Sequence, residues 1–442
     1  MRIRHFITMA LAGAIWSCAL AGEPLAINVT QCREMALQAS EQMRHADNGR
    51  RMAALDTKVA NTNFLPRIEG TATGAYVFPD IDMMGSKLQM HGMYVAGFQL
   101  TQPVYAGGKI MAGRSLSKIG EKVAAEQYRM TRMDVLANAE NAYWNYVSVL
   151  GKVALMESYM HLMDTLYDQT AAAMAVGMAV KNDLLRVEAR RSEIVYQSQK
   201  VANGADLCRM ALCEAIGVDY DTEIIPLEEA FQDLPEPAGV IDTSPADRPE
   251  LRLLEHQVEA KRQMVKLTRG DFLPTVGLSV GYNWYGNIRM NSMVEAMPGV
   301  YVPYQQEFKD NMGMAMLAVK VPLFHWGEGV KKVRKARLEV ENAGLELERN
   351  RRLLDLETRQ SELNVHDGFN MLTSAEIAVE QATENLRVTS DRYAEHMCPL
   401  TDMLDAQAQW QQASANLIEA RAQYHIYITA YLKATARLDV RD

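Results

Sequence analysis

The stretch QPVYAGGK, residues 102–109, marks an abrupt change of sequence pattern. Before it, every second residue is apolar, small or aromatic, which is the period of a β-strand, at Tyr94, Ala96, Phe98 and Leu100. Beyond it, no proline occurs from Lys109 to Val176. Proline lacks the N–H that a strand ladder needs, and glycine accepts left-handed backbone angles. The stretch therefore predicts a strand that turns into a very long helix.

Several short motifs recur along the chain at two fixed distances. NFLP at 63–66 returns as DFLP at 271–274, 208 residues later. QPVY at 102–105 returns as VPLF at 321–324, and DLL at 183–185 returns as DML at 402–404, both 219 residues later. We therefore predict two tandem copies of one unit: helix, strand, loop, strand, long helix, turn, helix. The second copy has 11 more residues between its strands, where we expect a hairpin tip.

The repeat fixes the expected boundaries. The first copy covers 22–216, with strands at about 67–78 and 93–104 and helices at 109–176 and 181–216. The second covers 248–442, with strands at about 275–285 and 313–322 and helices at 328–395 and 400–437. Residues 217–247 form a linker, and we expect an external loop over 286–312.

The strands have one apolar face and one small or polar face, and each is long enough to cross a bilayer when tilted. The edge of a soluble sandwich would show a similar pattern. Four strands cannot close a barrel, because single-chain barrels start at about eight. Either the strands lie outside a membrane, or several chains share one barrel.

The predicted long helices favour the second alternative. At about 1.5 Å per residue, the helix over 109–176 would be roughly 100 Å long, which is too long for one compact core. Apolar residues repeat in the 3–4 spacing of a coiled coil at Val333, Ala336, Val340, Ala343, Leu347 and Leu354. A similar series near the C-terminus is Ala413, Leu417, Ala420, Tyr424, Tyr427 and Tyr431.

The N-terminus has the pattern of an export signal. Arg2 and Arg4 precede an apolar run, and ALA at 19–21 is a small-x-small cleavage site, so 1–21 is the predicted signal peptide. Lipid attachment at Cys18 is the alternative, although Trp16 fits a lipobox poorly. No run of 18 apolar residues follows the signal, which argues against a transmembrane helix.

Composition and motifs exclude several classes of function. Loss of Arg2 and Arg4 takes the formal net charge from −9 to −11, and an acidic chain without a basic patch argues against nucleic acid as a partner. No protease, hydrolase or phosphate-loop motif is present, so we expect neither an enzyme nor a cofactor or metal. Cys32, Cys208, Cys213 and Cys398 are interpreted as structural thiols.

The ordered motifs, their duplication and the signal peptide resemble the TolC-type outer-membrane efflux proteins from end to end. The matching pieces are FLP at 64–66 and 272–274, QPVYAGGK at 102–109, AYWNYV at 142–147, DLLRVEA at 183–189, RPEL at 248–251, VPLFHWGE at 321–328 and DMLDAQ at 402–407.

The resemblance implies a membrane α/β fold and an assembly. Three identical chains would each give four strands to a shared 12-stranded barrel in the outer membrane of a Gram-negative bacterium. A helical coiled-coil tunnel would continue the barrel into the periplasm. The implied function is the passive exit duct of a tripartite efflux or type I secretion system, with a periplasmic adaptor protein and an inner-membrane pump as partners. The alternative is a structural or adhesive coiled-coil protein without a conduit.

Prolines and glycines are expected to make the junctions between strand and helix. We expect each proline to end strand hydrogen bonding and each glycine to allow the swing into or out of a helix. The junction residues are Pro66, Pro103, Gly107, Gly108, Pro274, Pro322 and Gly327.

The resemblance places a gate at the far ends of the long helices. Asp402 and Asp405 are three apart and match the family's aperture carboxylates, which would form rings that favour cations. The alternative is that they are solvated carboxylates stabilised by the dipole at a helix N-terminus. Asp183 and Tyr393 match latch positions, but Cys398 and Pro399 stand where well-known members carry an arginine. The turn at Val176, Gly177 and Met178 matches the adaptor contact.

Overall fold

The computed structural model describes residues 24–83, 86–227 and 247–439. The predicted signal peptide with Cys18, and most of the predicted linker, lie outside the described residues. The elements follow in the order β1 (Leu25–Ile27), α1 (Val29–Ala39), α2 (Glu41–Thr62), β2 (Arg67–Tyr76), β3 (Ile81–Met83), β4 (Ser86–Gln89), β5 (His91–Ala106), α3 (Lys109–Ala175), α4 (Lys181–Ile216), β6 (Ile224–Pro226), α5 (Pro249–Gly270), β7 (Thr275–Met297), β8 (Val300–Lys320), α6 (Glu328–Ala394) and α7 (Leu400–Ala434).

The chain divides into two compact units. One comprises Met1–His45, Arg129–Arg248 and Arg352–Asp442, and the other comprises Ala46–Tyr128 and Pro249–Arg351. Each unit contains segments from both halves of the sequence, so the units do not coincide with the predicted repeats. In the second unit, segments from both halves come together because β5 from the first half pairs with β7 from the second half.

The second unit is built on an antiparallel sheet in the order β2-β5-β7-β8. β3 and β4 form a small extra hairpin, and β4 pairs with the outer part of β7 beyond the end of β5. The predicted loop over 286–312 is wrong. β7 continues to Met297 and β8 begins at Val300, so this region is a long hairpin with its turn at Pro298 and Gly299.

The register of the sheet sorts the side chains onto two faces. Phe98 pairs with Tyr282 and Leu100 pairs with Val280, and the rings of Phe98 and Tyr282 stack on this apolar face. The other face is polar: Gln99 donates a hydrogen bond to Ser279 across 2.8 Å. This separation is what a sheet with lipid on one side and water on the other requires.

Left-handed backbone angles occur where the strands meet the long helices. Gly107 and Gly108 have φ of 62° and 78°, and Trp326 and Gly327 repeat these angles at 52° and 76°. A Cβ on Gly107 would lie 2.4 Å from the carbonyl oxygen of Gly270, so this position needs glycine for space as well as for its angle.

Pro103 corrects one expectation about these junctions. We expected it to end the strand, but β5 continues through Ala106. Pro103 lies opposite Gly277, and the register then shifts before Tyr105. A local irregularity of the pairing therefore accommodates the missing N–H. Pro66, Pro274 and Pro322 do lie just outside β2, β7 and β8.

The long helices are close to their predicted bounds. α3 and α6 each have 67 residues, and α6 begins and ends 219 residues after α3. No helix in the described ranges combines the length and the apolar character needed to cross a bilayer. In the first unit, α6 and α7 share a core that includes part of the C-terminal predicted seam, at Val365, Leu372, Ala420 and Tyr424.

Candidate functional site

The turns between α3 and α4 and between α6 and α7 have the same backbone geometry. The amide of Met178 donates to the carbonyl of Ala173 at 2.8 Å, and that of Met397 donates to the carbonyl of Arg392 at 2.7 Å. The residue before each donor has a left-handed φ, 79° at Gly177 and 57° at His396. Both turns are therefore helix C-caps of the Schellman kind, which satisfy carbonyl groups left free at the helix end.

Both turns expose apolar side chains to solvent. Val176 is 72% exposed, and Met178 and Met397 are each 69% exposed. The predicted adaptor-contact residues Val176, Gly177 and Met178 thus lie at the outside of the turn. Exposed apolar groups clustered on two matching turns are typical of a surface that meets another protein.

Asp402 and Asp405 lie on the exposed face of the first two turns of α7. The residues between and after them point the other way, since Met403 and Ala406 are buried. Neither aspartate has an ion-pair partner within the described part of the chain. The α7 N-cap, Pro399, provides no side-chain hydrogen bond, so the first turn of the helix carries the Asp402 charge beside uncapped amides.

Tyr393 contacts α3 through Thr170. Their hydroxyl oxygens lie 3.4 Å apart, and the Thr170 hydroxyl donates to the carbonyl of Leu166 at 2.8 Å. Because a threonine has a single O–H, Tyr393 is the donor between the two side chains. Within the described residues, no hydrogen bond joins Tyr393 to Asp183. Asp183 lies half-buried at the start of α4, where its amide donates to Val180.

An apolar cluster lies directly behind these residues. It joins three helices through Tyr159, Met163 and Leu166 of α3, Val187 and Ile194 of α4, and Leu400 and Met403 of α7, with Tyr393 packed against it. The cluster fixes the position of α7 and therefore of both aspartates. Cys398, at the position where the resemblance implies an arginine, is half-buried, and its thiol lies 3.6 Å from the carbonyl of Thr389.

Charged side chains on α4 and α6 make contacts within the helices that lead to and from the turns. Arg191 pairs with Asp164 at 2.7 Å, and Arg190 donates to the Tyr159 hydroxyl at 3.1 Å, so two arginines join α4 to α3. On α6, Arg387 bonds Glu384 at 2.7 Å and lowers the pKa of that carboxyl group. The sequence did not predict the two arginine contacts, because DLLRVEA at 183–189 ends just before these residues and no local spacing pairs them with α3.

A buried ion pair also escaped prediction from the sequence. In the first unit, Arg33 of α1 and Glu140 of α3 form an ion pair of 2.6 Å, and both are almost fully buried. The hydroxyl of Thr429 on α7 also donates to Glu140. Burial, followed by the charge of Glu140, raises the pKa of the adjacent Cys32 to about 12, against a smaller opposing effect of Arg33. Residues 107 apart leave no sequence pattern that would reveal such a pair.

Comparisons with known proteins agree with the geometry. The sequence profile of the family described as "Outer membrane efflux protein" matches residues 32–205 and 240–435. The chain is 21% identical over 421 residues to outer membrane protein TolC of Escherichia coli K12, covering 94% of this chain and 83% of TolC. It is 23% identical over 365 residues to the alkaline protease secretion protein AprF of Pseudomonas aeruginosa, covering 79% of this chain and 70% of AprF.

A solved structure shares the fold. The Campylobacter jejuni CmeC outer membrane channel superposes with a TM-score of 0.79 at 18% identity, covering 94% of this chain and 87% of CmeC. The profile spans most of the chain and both of its halves. The chain therefore belongs to the outer membrane efflux protein family, and it is an outer-membrane protein of efflux or secretion that extends into the periplasm.

Proposed function

We propose that three copies of this chain form the exit duct of a tripartite efflux or type I secretion system, closed at the periplasmic turns of its helices. Substrates would pass from an inner-membrane pump through the duct to the outside without a catalytic step in this protein. Energy would come from the pump, and this chain would supply the path and its gate.

The sheet supports a shared barrel. β2 pairs only with β5 and β8 pairs only with β7, so both outer edges of the four-stranded part of the described sheet lack a partner strand. Every residue of β8 is exposed in the single chain. Open strand edges are not tolerated in lipid, because their backbone groups would lack hydrogen bonds. Pairing of β8 with β2 of the next copy removes both edges, and three copies of four strands give 12.

The matching turns support a gate. In a trimer, the three copies of Asp402 and of Asp405 would form two rings of carboxylates that attract cations. The contact of Tyr393 with Thr170 would hold α6 against α3 in the closed state. Asp183 lies at the start of α4, which follows α3 after the turn. An adaptor that bound Val176, Gly177 and Met178 more tightly in the open state would shift the equilibrium toward opening.

The unpaired edges of β2 and β8 are the single observation that carries the proposal. To test it, Ile68 on β2 and Ala315 on β8 are both changed to cysteine in a protein without its native cysteines. A flexible bis-maleimide should then link the purified protein into dimers and trimers on a denaturing gel, with nothing larger. Each single cysteine variant serves as the control and should not form the trimer. A ladder beyond the trimer, or no product from the double variant, would contradict a closed barrel of three chains.

A further inference from the structure

A cleft of about 620 Å³ lies where the sheet meets α3 in the second unit. Arg67 of β2, Lys320 of β8 and Lys109 of α3 all line it. Arg67 belongs to the polar face of the sheet, since it pairs with Thr101 next to Gln99 and Ser279. The volume is in the range of sites for small organic molecules.

The charges around the cleft are unequal. Lys109 is neutralised by Asp271, which lies 3.1 Å away. Arg67 donates to the neutral side-chain amide oxygen of Asn63 at 2.8 Å, and Lys320 has no ion-pair partner in the described part of the chain. Among the residues that the structure describes, no carboxylate lines the cleft, although Glu69 follows Arg67 on the same face of β2. Two positive charges are therefore left without a paired carboxylate.

The beginning of α3 adds to this positive potential. Lys109, Ile110 and Gly113 of its first turns line the cleft, and the first backbone bond of the helix is from Ala112 to Gly108. The amides before Ala112 have no carbonyl partner within the helix, and helix N-termini favour anions. The helix end therefore acts together with Arg67 and Lys320.

The rest of the cleft is apolar, and residues without side chains leave space in it. Pro103 and Ile110 provide apolar surface. Gly277, opposite Pro103, and Gly113 leave space, since a Cβ on either would meet no atom within 4 Å. The displaced register after Pro103 falls at this same place, so the irregular end of β5 is part of the cleft wall.

We propose that this cleft binds amphipathic organic anions, with the acidic head at Arg67 and Lys320 and the apolar body against Pro103 and Ile110. The inference rests on the proposed duct, in which the polar face of the sheet lines the lumen and the cleft occurs three times at its neck. Solutes of this class would be held there in transit, above a gate that carries negative charge.

The probe is 1-naphthalenesulfonate, with neutral 1-naphthalenemethanol as its uncharged analogue. Binding to full-length mature trimers in phosphatidylcholine nanodiscs is measured by calorimetry, with empty nanodiscs as the blank. The sulfonate should bind saturably and at least about tenfold more tightly than the alcohol, and added salt should weaken it. Arg67→Gln with Lys320→Gln should lose about tenfold in affinity, as expected for charged hydrogen bonds. Lys335→Gln on the exposed face of α6 is the matched control and should leave binding unchanged.

A second variant tests the cavity itself. Gly277→Leu fills the cleft while keeping every charge, and it should weaken the sulfonate by at least the same factor. Equal binding of the sulfonate and the alcohol, unchanged binding in both variants, or competition by phosphatidylglycerol added to the nanodisc would each overturn the assignment. Conductance of the same preparation separates the two proposals. Discrete conductance steps without sulfonate binding would refute the anion cleft alone. Sulfonate binding without conductance steps would refute the duct alone.

Discussion

The Tyr393 hydroxyl lies 3.4 Å from Oγ1 of Thr170, a residue 223 positions earlier in the chain. The bond joins α6 to α3 immediately before the turns at which both helices end. The ring of Tyr393 packs against the cluster that also holds Leu400 and Met403 of α7. One side chain thus connects the two turns that we propose as the gate.

Tyr393→Phe should make the gate open more often. The change removes the donor and keeps the ring, so the closed state loses up to about 1.5 kcal/mol, which is about tenfold in the closed-to-open ratio. Single-channel recording of open probability measures the effect. Tyr427→Phe on α7 is the matched control, since it removes a hydroxyl from a half-buried tyrosine in another cluster. Equal open probabilities in the two variants would exclude Tyr393 as a latch.

Glu140→Ala should strongly destabilise the protein. It removes the carboxylate that pairs with Arg33 at 2.6 Å, and breaking a buried pair on one side costs about 3–5 kcal/mol. Denaturant unfolding of the detergent-solubilised protein measures the loss. The double variant Arg33→Met with Glu140→Leu should be more stable than Glu140→Ala, because no buried charge remains. A loss below about 1 kcal/mol in Glu140→Ala would show that the pair is not a buried anchor.

Cys32 should resist alkylation while the protein is folded. Burial is the main reason that its pKa rises from 9.0 to about 12, and only the thiolate reacts. At pH 9 the buried thiol should stay almost entirely protonated, whereas the thiol in the unfolded chain would be largely ionised. The half-buried Cys398, at the exposed turn, is the internal comparison. Mass spectrometry after maleimide treatment should find Cys398 modified and Cys32 intact. Rapid modification of Cys32 without unfolding would contradict the burial.

The same raised pKa predicts a dependence of stability on pH. The folded state holds the Cys32 proton more tightly than the unfolded state does, so the unfolded state binds fewer protons above pH 9. This contribution to stability is therefore complete below pH 9 and is lost as the pH rises toward 12. Replacement of Cys32 by alanine should flatten the stability profile in that window, and an unchanged slope would assign the loss to other groups.

Local sequence patterns predicted the helices and strands better than they predicted the contacts between side chains. The absence of proline and the two glycines placed the start of α3 at Lys109, because backbone angles at a junction depend on nearby residues. The hairpin beyond residue 285 was assigned to a loop because insertions in a repeat were expected to be irregular. Alternating residues on either side of Pro298 and Gly299 were the signal that could have revealed the two strands. The contact of Tyr393 with Thr170 and the pair of Arg33 with Glu140 depend on helix packing, so no spacing in the sequence could show them.

Conductance of the purified mature protein in planar bilayers tests the central claim most directly, together with the variant Asp402→Ala, Asp405→Ala. Asp56→Ala on α2 is the control, since it removes an exposed aspartate far along the chain from the turns. We predict small, discrete, cation-selective steps for the native protein and for the control. In the double variant the steps should become larger or lose their selectivity. Assembled trimers that insert without any steps, or steps whose selectivity the double variant leaves unchanged, would contradict a duct gated by these two residues.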